Sequence, residues 1–83
     1  MKHPKDDRAS LWDMREAALE AIDAIIGIDL NVFLADRIRI RAIERLIEII
    51  GEAANRISRE FRQTYDAIPW TKIIGQRHIL AHE

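Results

Sequence analysis

The chain reads as an all-α domain, and three observations predict it. Apolar residues recur at steps of three and four along most of the 83 residues, the spacing of one face of a helix. No stretch alternates apolar and polar residues as a half-buried strand would. Hydrophobic residues make up 48% of the chain but aromatics only 6%, the composition of an aliphatic helical core.

Each element follows from local chemistry. Pro4 and the charged residues after it form a lead without an apolar pattern. From about residue 6 to residue 26, Leu11, Met14, Ala18, Ile22 and Ile25 mark one helical face. Gly27 can take the left-handed conformation that ends such a helix, and Asp29 or Asn31 can cap the next. The longest periodic stretch spans about residues 31–63, where Ile40, Ile43, Ile47, Ile50, Ala54, Ile57 and Phe61 step by three and four. Leu46, Ile49 and Ala53 widen that stripe, which predicts packing against more than one neighbour. Val32, Phe33 and Leu34 read as a separate turn with a bend near Asp36. Gly51 inside this helix costs about 1 kcal/mol relative to alanine, which the close approach of another backbone would explain. Pro69 suits the first position of a new helix and disfavours helix at Ile68. Trp70, Ile73, Ile74 and Leu80 give that last helix its apolar side.

Length and charge narrow the function. Eighty-three residues make a single domain, residues 1–83, small enough that a monomer would be marginally stable. With no cysteine, neither disulfides nor a thiolate zinc site can add stability, so association with a second copy is the expected route. The formal net charge is -1, from 13 basic and 14 acidic side chains. Such a balance excludes a global positive field for nucleic acid and leaves only local contacts. No apolar run approaches the length of a bilayer span, and the first residues carry no apolar signal core. A cytoplasmic protein with no membrane contact is expected.

The candidate chemistry lies at the end. Arg77-His78-Ile79-Leu80-Ala81-His82-Glu83 puts a fixed cation and two imidazoles in one short segment. RNA is cleaved without metal when its own 2′-OH attacks the adjacent phosphorus. That reaction needs a proton acceptor, a proton donor and positive charge on the phosphorane. Histidine titrates near neutrality, and arginine offers a fork of donors matched to phosphate oxygens. Five residues turn a helix about 140° beyond a full rotation, so Arg77 and His82 converge only across a concave surface or between two subunits. Spacing alone is explained more simply by two helix-terminal residues that neutralise the last carbonyls. His78 and His82 share a helix face as zinc ligands can, but no third ligand is evident and His3 is remote, so no metal is expected. No cofactor is expected either.

Glu44, Glu48 and Glu52, flanked by Arg41, Arg45 and Arg56, read as a solvated face with local ion pairs. Arg37, Arg39 and Arg41 are the densest basic cluster for a phosphate path, and exposed-face solubility explains them equally well. Trp70 is in type able to stack on a base, but in the first turn of a short helix it reads as a core anchor.

The terminal R-(polar)-x3-H pattern, together with Ala-Ile-Glu-Arg-Leu-Ile-Glu-Ile-Ile-Gly-Glu-Ala-Ala over residues 42–54, resembles the HepT-like toxins of the HEPN ribonuclease superfamily. The resemblance implies a small antiparallel helical bundle that dimerises and places two R-x4-H motifs at a shared cleft. It implies a metal-independent endoribonuclease acting as the toxin of a toxin–antitoxin pair, with a minimal nucleotidyltransferase antitoxin as partner and RNA as substrate. Arg77 and His82 would then be catalytic, His78 the motif's polar position, and Glu52 a support for the Arg77 guanidinium. The family motif continues to a tyrosine as R-x4-H-x-Y, and the antitoxin adds AMP units to that tyrosine. In this sequence the position would follow Glu83, and the family's final helix is lacking; Tyr65 lies outside the motif and does not inherit the modification. Activity is expected if the pattern is completed after Glu83, and an inactive protein if the chain is truncated there. The alternative reading is a non-catalytic helical binding module that docks a nucleotidyltransferase or a nucleotide.

Overall fold

A computed structural model describes the backbone of residues 6–81 and the side chains of residues 6–75. The described residues form five helices and no strand: α1 (Asp7–Ile25), α2 (Leu30–Ala35), α3 (Arg37–Arg56), α4 (Arg59–Thr64) and α5 (Trp70–Ala81). The all-α expectation holds.

Three of the breaks follow the local signals. Gly27 has φ 73°, the left-handed conformation, just past the end of α1. Asp29 caps α2 by accepting from the Asn31 backbone N–H at 2.9 Å. Asp36 separates α2 from α3 and caps the latter, its carboxylate accepting from Arg39 N at 3.0 Å. The break between α3 and α4 departs from the sequence reading. The helix expected to run through Ile57 to residue 63 stops at Arg56, and Ile57 and Ser58 are both extended. Ser58 is a helix cap inside an unbroken apolar period: its Oγ accepts from Phe61 N at 3.1 Å, and Glu60 follows in the first turn of α4. Arg62 secures the break by donating back to the Ile57 carbonyl at 3.0 and 3.1 Å and to Asn55 O at 3.4 Å. Those carbonyls belong to the end of α3, where unsatisfied acceptors concentrate. At the last break, α5 begins at Trp70, one residue later than expected, and the Pro69 carbonyl accepts its first helical bond from Ile73 N.

Long-range polar contacts set the arrangement. The Asp7 carboxylate accepts from Ser58 N at 2.8 Å and Ser58 Oγ at 2.7 Å, and Arg56 reaches Asp13 at 3.2 Å. At the other end Arg39 donates to the Ala24 carbonyl. Helix α1 therefore runs antiparallel to α3. Its last turn holds no basic residue of its own, and Arg39 supplies that charge from α3. Trp70 packs on Ala54 and Ile57 at the end of α3, and α5 then runs back along it. The long helix is thus flanked by two antiparallel neighbours.

The closed core is small and lies at one end. Ile57 is 1% exposed and Trp70 7%, and with Ala54 they are surrounded by Leu11, Met14, Phe61, Ile73 and Ile74. Trp70 also donates its indole N–H to the Tyr65 carbonyl at 3.1 Å and meets Phe61 edge-on at 6.1 Å. It is the core anchor, not a stacking platform. Gly51, Ala53 and Ala54 are buried, as close helix contact requires. The opposite end stays open: Leu19, Ile22, Ile25 and Ile26 of the α1 end, Leu30, Val32 and Leu34 of α2, and Ile38 are all exposed, Ile38 by 85%. The α1 stripe read as a core face is covered only in its first half, because nothing among the described residues covers Ile22 and Ile25. The Cα radius of gyration is 14.6 Å. A compact chain of this length would have about 12 Å.

Candidate functional site

The predicted motif begins on α5. The backbone is helical through Ala81, so residues 77 and 78 lie on its C-terminal half. At 1.5 Å per residue, residue 77 comes about 10 Å along α5 from Trp70. Because α5 runs antiparallel to α3 from the contact of Trp70 with Ala54 and Ile57, that height is level with about Ile47 to Ile50. The Arg77 and His78 side chains and all of His82 lie outside the described residues.

Glu52 is the motif's proposed support on α3. Its side chain is 37% exposed and its Oε1 stands 3.6 Å from Arg45 Nη1. Any contact of Glu52 with Arg77 lies outside the described residues. The rest of the acidic row behaves as a solvated face: Arg41 pairs with Glu44 and Arg45 with Glu48, each at 3.4 Å. The arginines of these pairs are 73% and 61% exposed, so the pairs contribute little to stability. Arg56 leaves the row and turns to Asp13 of α1.

The basic cluster read from the sequence is largely neutralised. Arg39 binds Asp36 at 3.1 Å as well as the α1 carbonyl, and Arg41 binds Glu44. Hydrogen bonds from Arg39, the backbone one first, hold the Asp36 carboxyl below the usual carboxylate range. Asp6 is held low in the same way, chiefly by the Arg8 side chain. Only Arg37 of the three is left without a carboxylate partner among the described residues, and it lines an open apolar groove with Asn31, Val32, Ala35 and Ile38. The sequence reading missed a different basic surface around the turn from α4 to α5, formed by Arg59, Arg62 and Lys72. Arg59 and Arg62 lie on α4 and Lys72 on α5, and the turn between the two helices sets them around adjoining depressions.

Among the described residues, no group of three His, Cys, Asp or Glu side chains is placed to hold a metal ion. No described helix is long and apolar enough to cross a membrane.

Fold and sequence motif define a class, a small all-α domain whose α5 runs antiparallel to the long helix and holds the first residues of an Arg-x4-His sequence pattern. Residues 15–83 match the family described as Ribonuclease HepT-like, and the chain belongs to that family. It is 37% identical over 79 residues to Putative RNase MJ1380 of Methanocaldococcus jannaschii, covering 95% of this chain and 72% of that protein. To Putative RNase TTE0752 of Caldanaerobacter subterraneus it is 40% identical over 62 residues, 75% of this chain and 55% of the relative. Probable ribonuclease HepT of Thermococcus cleftensis is 34% identical over 74 residues, 84% of this chain and 67% of its own length. The chain thus spans between 55% and 72% of these relatives. No solved structure matches it significantly.

Proposed function

We propose that this protein is a metal-independent endoribonuclease, the toxin of a toxin–antitoxin pair, with Arg77 and His82 as catalytic residues at a cleft between two protomers. Membership of the HepT-like family, with the match reaching through both motif residues, carries the reading. In the proposed reaction the 2′-oxygen of RNA bonds to the adjacent phosphorus and the P–O5′ bond breaks. The 2′-OH proton passes to a base and the 5′-oxygen takes up a proton, leaving a 2′,3′-cyclic phosphate and a 5′-OH. The His82 imidazole acts in this proton transfer. The Arg77 guanidinium stabilises the extra charge on the phosphorane, Glu52 orients it from α3, and His78 serves as the motif's polar position.

The open apolar end supports self-association, because so many exposed aliphatic side chains on a small chain gain from a second copy. A minimal nucleotidyltransferase is the proposed antitoxin partner. The test uses the purified chain and RNA in excess EDTA. Cleavage should persist with chelator and fall about 10²-fold or more in both R77A and H82A, from a sample that sediments as a dimer. A dimer that binds nucleotide or nucleotidyltransferase and leaves RNA intact would make it a non-catalytic binding module instead.

A further inference from the structure

We propose that the elbow between α4 and α5 is a phosphate-binding subsite that holds a single-stranded RNA upstream or downstream of the motif; the inference rests on the ribonuclease reading above. Its basis is where unneutralised positive charge stands. Six described arginines, Arg8, Arg15, Arg39, Arg41, Arg45 and Arg56, pair with carboxylates. Among the described residues Arg37, Arg59, Arg62 and Lys72 have no carboxylate partner, and the last three line two adjoining open depressions that share Asp66, Trp70 and Thr71. In a chain of net charge -1, the elbow gathers three cations against one lining carboxylate, Asp66. Among the described residues, this is where cations without a carboxylate partner stand together from two helices, so an anionic strand is attracted here.

The geometry is prepared for such a ligand. Arg62 is held in place by its bonds to the Ile57 and Asn55 carbonyls and has no carboxylate partner among the described residues. Arg59 and Lys72 are exposed and line one each of the two adjoining depressions, from α4 and α5, and the exposed Thr71 hydroxyl, common to both, can add a neutral donor. Helical register then ties the hollow to the motif. Positions 71, 75 and 78 fall at steps of four and three on one face of α5, and position 78 lies two turns, about 10 Å, beyond Thr71. Between them stands Gly75, where an added Cβ would meet nothing within 4 Å among the described residues, so the helix surface is open at that point. A few nucleotides of single strand span that distance. Contacts of this kind read the backbone rather than the bases, so the elbow sets affinity and register, not sequence preference.

The experiment measures fluorescence anisotropy of a labelled 2′-O-methyl RNA, which cannot be cut because its nucleophile is blocked. It compares the full chain with the double variant R59Q/K72Q and with R8Q/R15Q, which removes the same charge from α1. Loss of two single-strand phosphate contacts should lower the slope of log K against log[salt] by about 1.4 and weaken binding up to roughly 25-fold at about 0.1 M salt. R8Q/R15Q should keep the parent slope, and circular dichroism should show all three helical. The proposal is overturned by an unchanged slope in R59Q/K72Q or by an equal loss in R8Q/R15Q. It fails too if the parent binds no RNA, or if poly-glutamate of equal charge binds equally well. Cleavage is scored separately on unmodified RNA. A parent that cuts RNA while R59Q/K72Q binds normally sinks the subsite alone. One that binds through the elbow and never cuts sinks the ribonuclease reading alone.

Discussion

Replacing Ser58 with alanine tests the physical logic that creates the elbow. The hydroxyl has two jobs. It caps α4 by accepting from Phe61 N at 3.1 Å, and it donates to the Asp7 carboxylate of α1 at 2.7 Å. Loss of the cap costs about 1 kcal/mol, and loss of the hydrogen bond to the carboxylate about another, so S58A should destabilise by about 2 kcal/mol. A domain of this length has a total stability of roughly 4–12 kcal/mol, so the effect is a large share. In thermal terms it corresponds to a fall in Tm of roughly 8–16 °C. Asp7 also accepts from the Ser58 backbone N–H at 2.8 Å, which S58A leaves in place. D7A should therefore cost about 2 kcal/mol through its two lost bonds, and D7A/S58A about 3 kcal/mol, a coupling near 1 kcal/mol. Urea denaturation followed by helical circular dichroism at one fixed protein concentration provides the values. An S58A protein within about 0.5 kcal/mol of the parent, or strict additivity in the double variant, would refute the claim that this serine joins the two helices.

Two further predictions concern stability. Trp70→Ala should cost about 3–5 kcal/mol and leave the chain near its unfolding limit, whereas Trp70→Phe should lose only the indole bond to Tyr65 O, about 1 kcal/mol. Equal Tm values for the two variants would show that the ring is not the anchor. The Asp36 carboxyl is held below its ordinary range when folded, so its contribution is present above the unfolded value of about 3.9 and is lost as pH falls through the lower folded value. The amide introduced by D36N would still cap α3 but could not titrate, so the variant should show a shallower stability decline below about pH 4 than the parent. Identical acid profiles for both proteins would count against the Asp36–Arg39 assignment.

Much of the fold was legible because its signals are local. Gly27, Asp29, Asp36 and Pro69 each act within a few residues, through a left-handed turn, a cap or a missing donor. The break at Ser58 was not legible from periodicity. Ile57 and Phe61 continue the apolar spacing across it, and the competing signal is one serine whose capping role depends partly on Asp7, 51 residues away. The basic surfaces show the same limit. Arg37, Arg39 and Arg41 look like a cluster in the sequence, yet Arg39 and Arg41 are neutralised, one of them also by a carbonyl on another helix.

By itself the sequence determined the helical class, most of the boundaries and the family, because period, caps and the Arg-x4-His spacing are properties of neighbouring residues. Only the tertiary structure decided which charges stay uncompensated and which apolar faces stay uncovered. Both depend on partners far along the chain: a carboxylate or carbonyl brought within bonding distance neutralises an arginine, and a packed helix covers an isoleucine. Sequence spacing encodes neither distance.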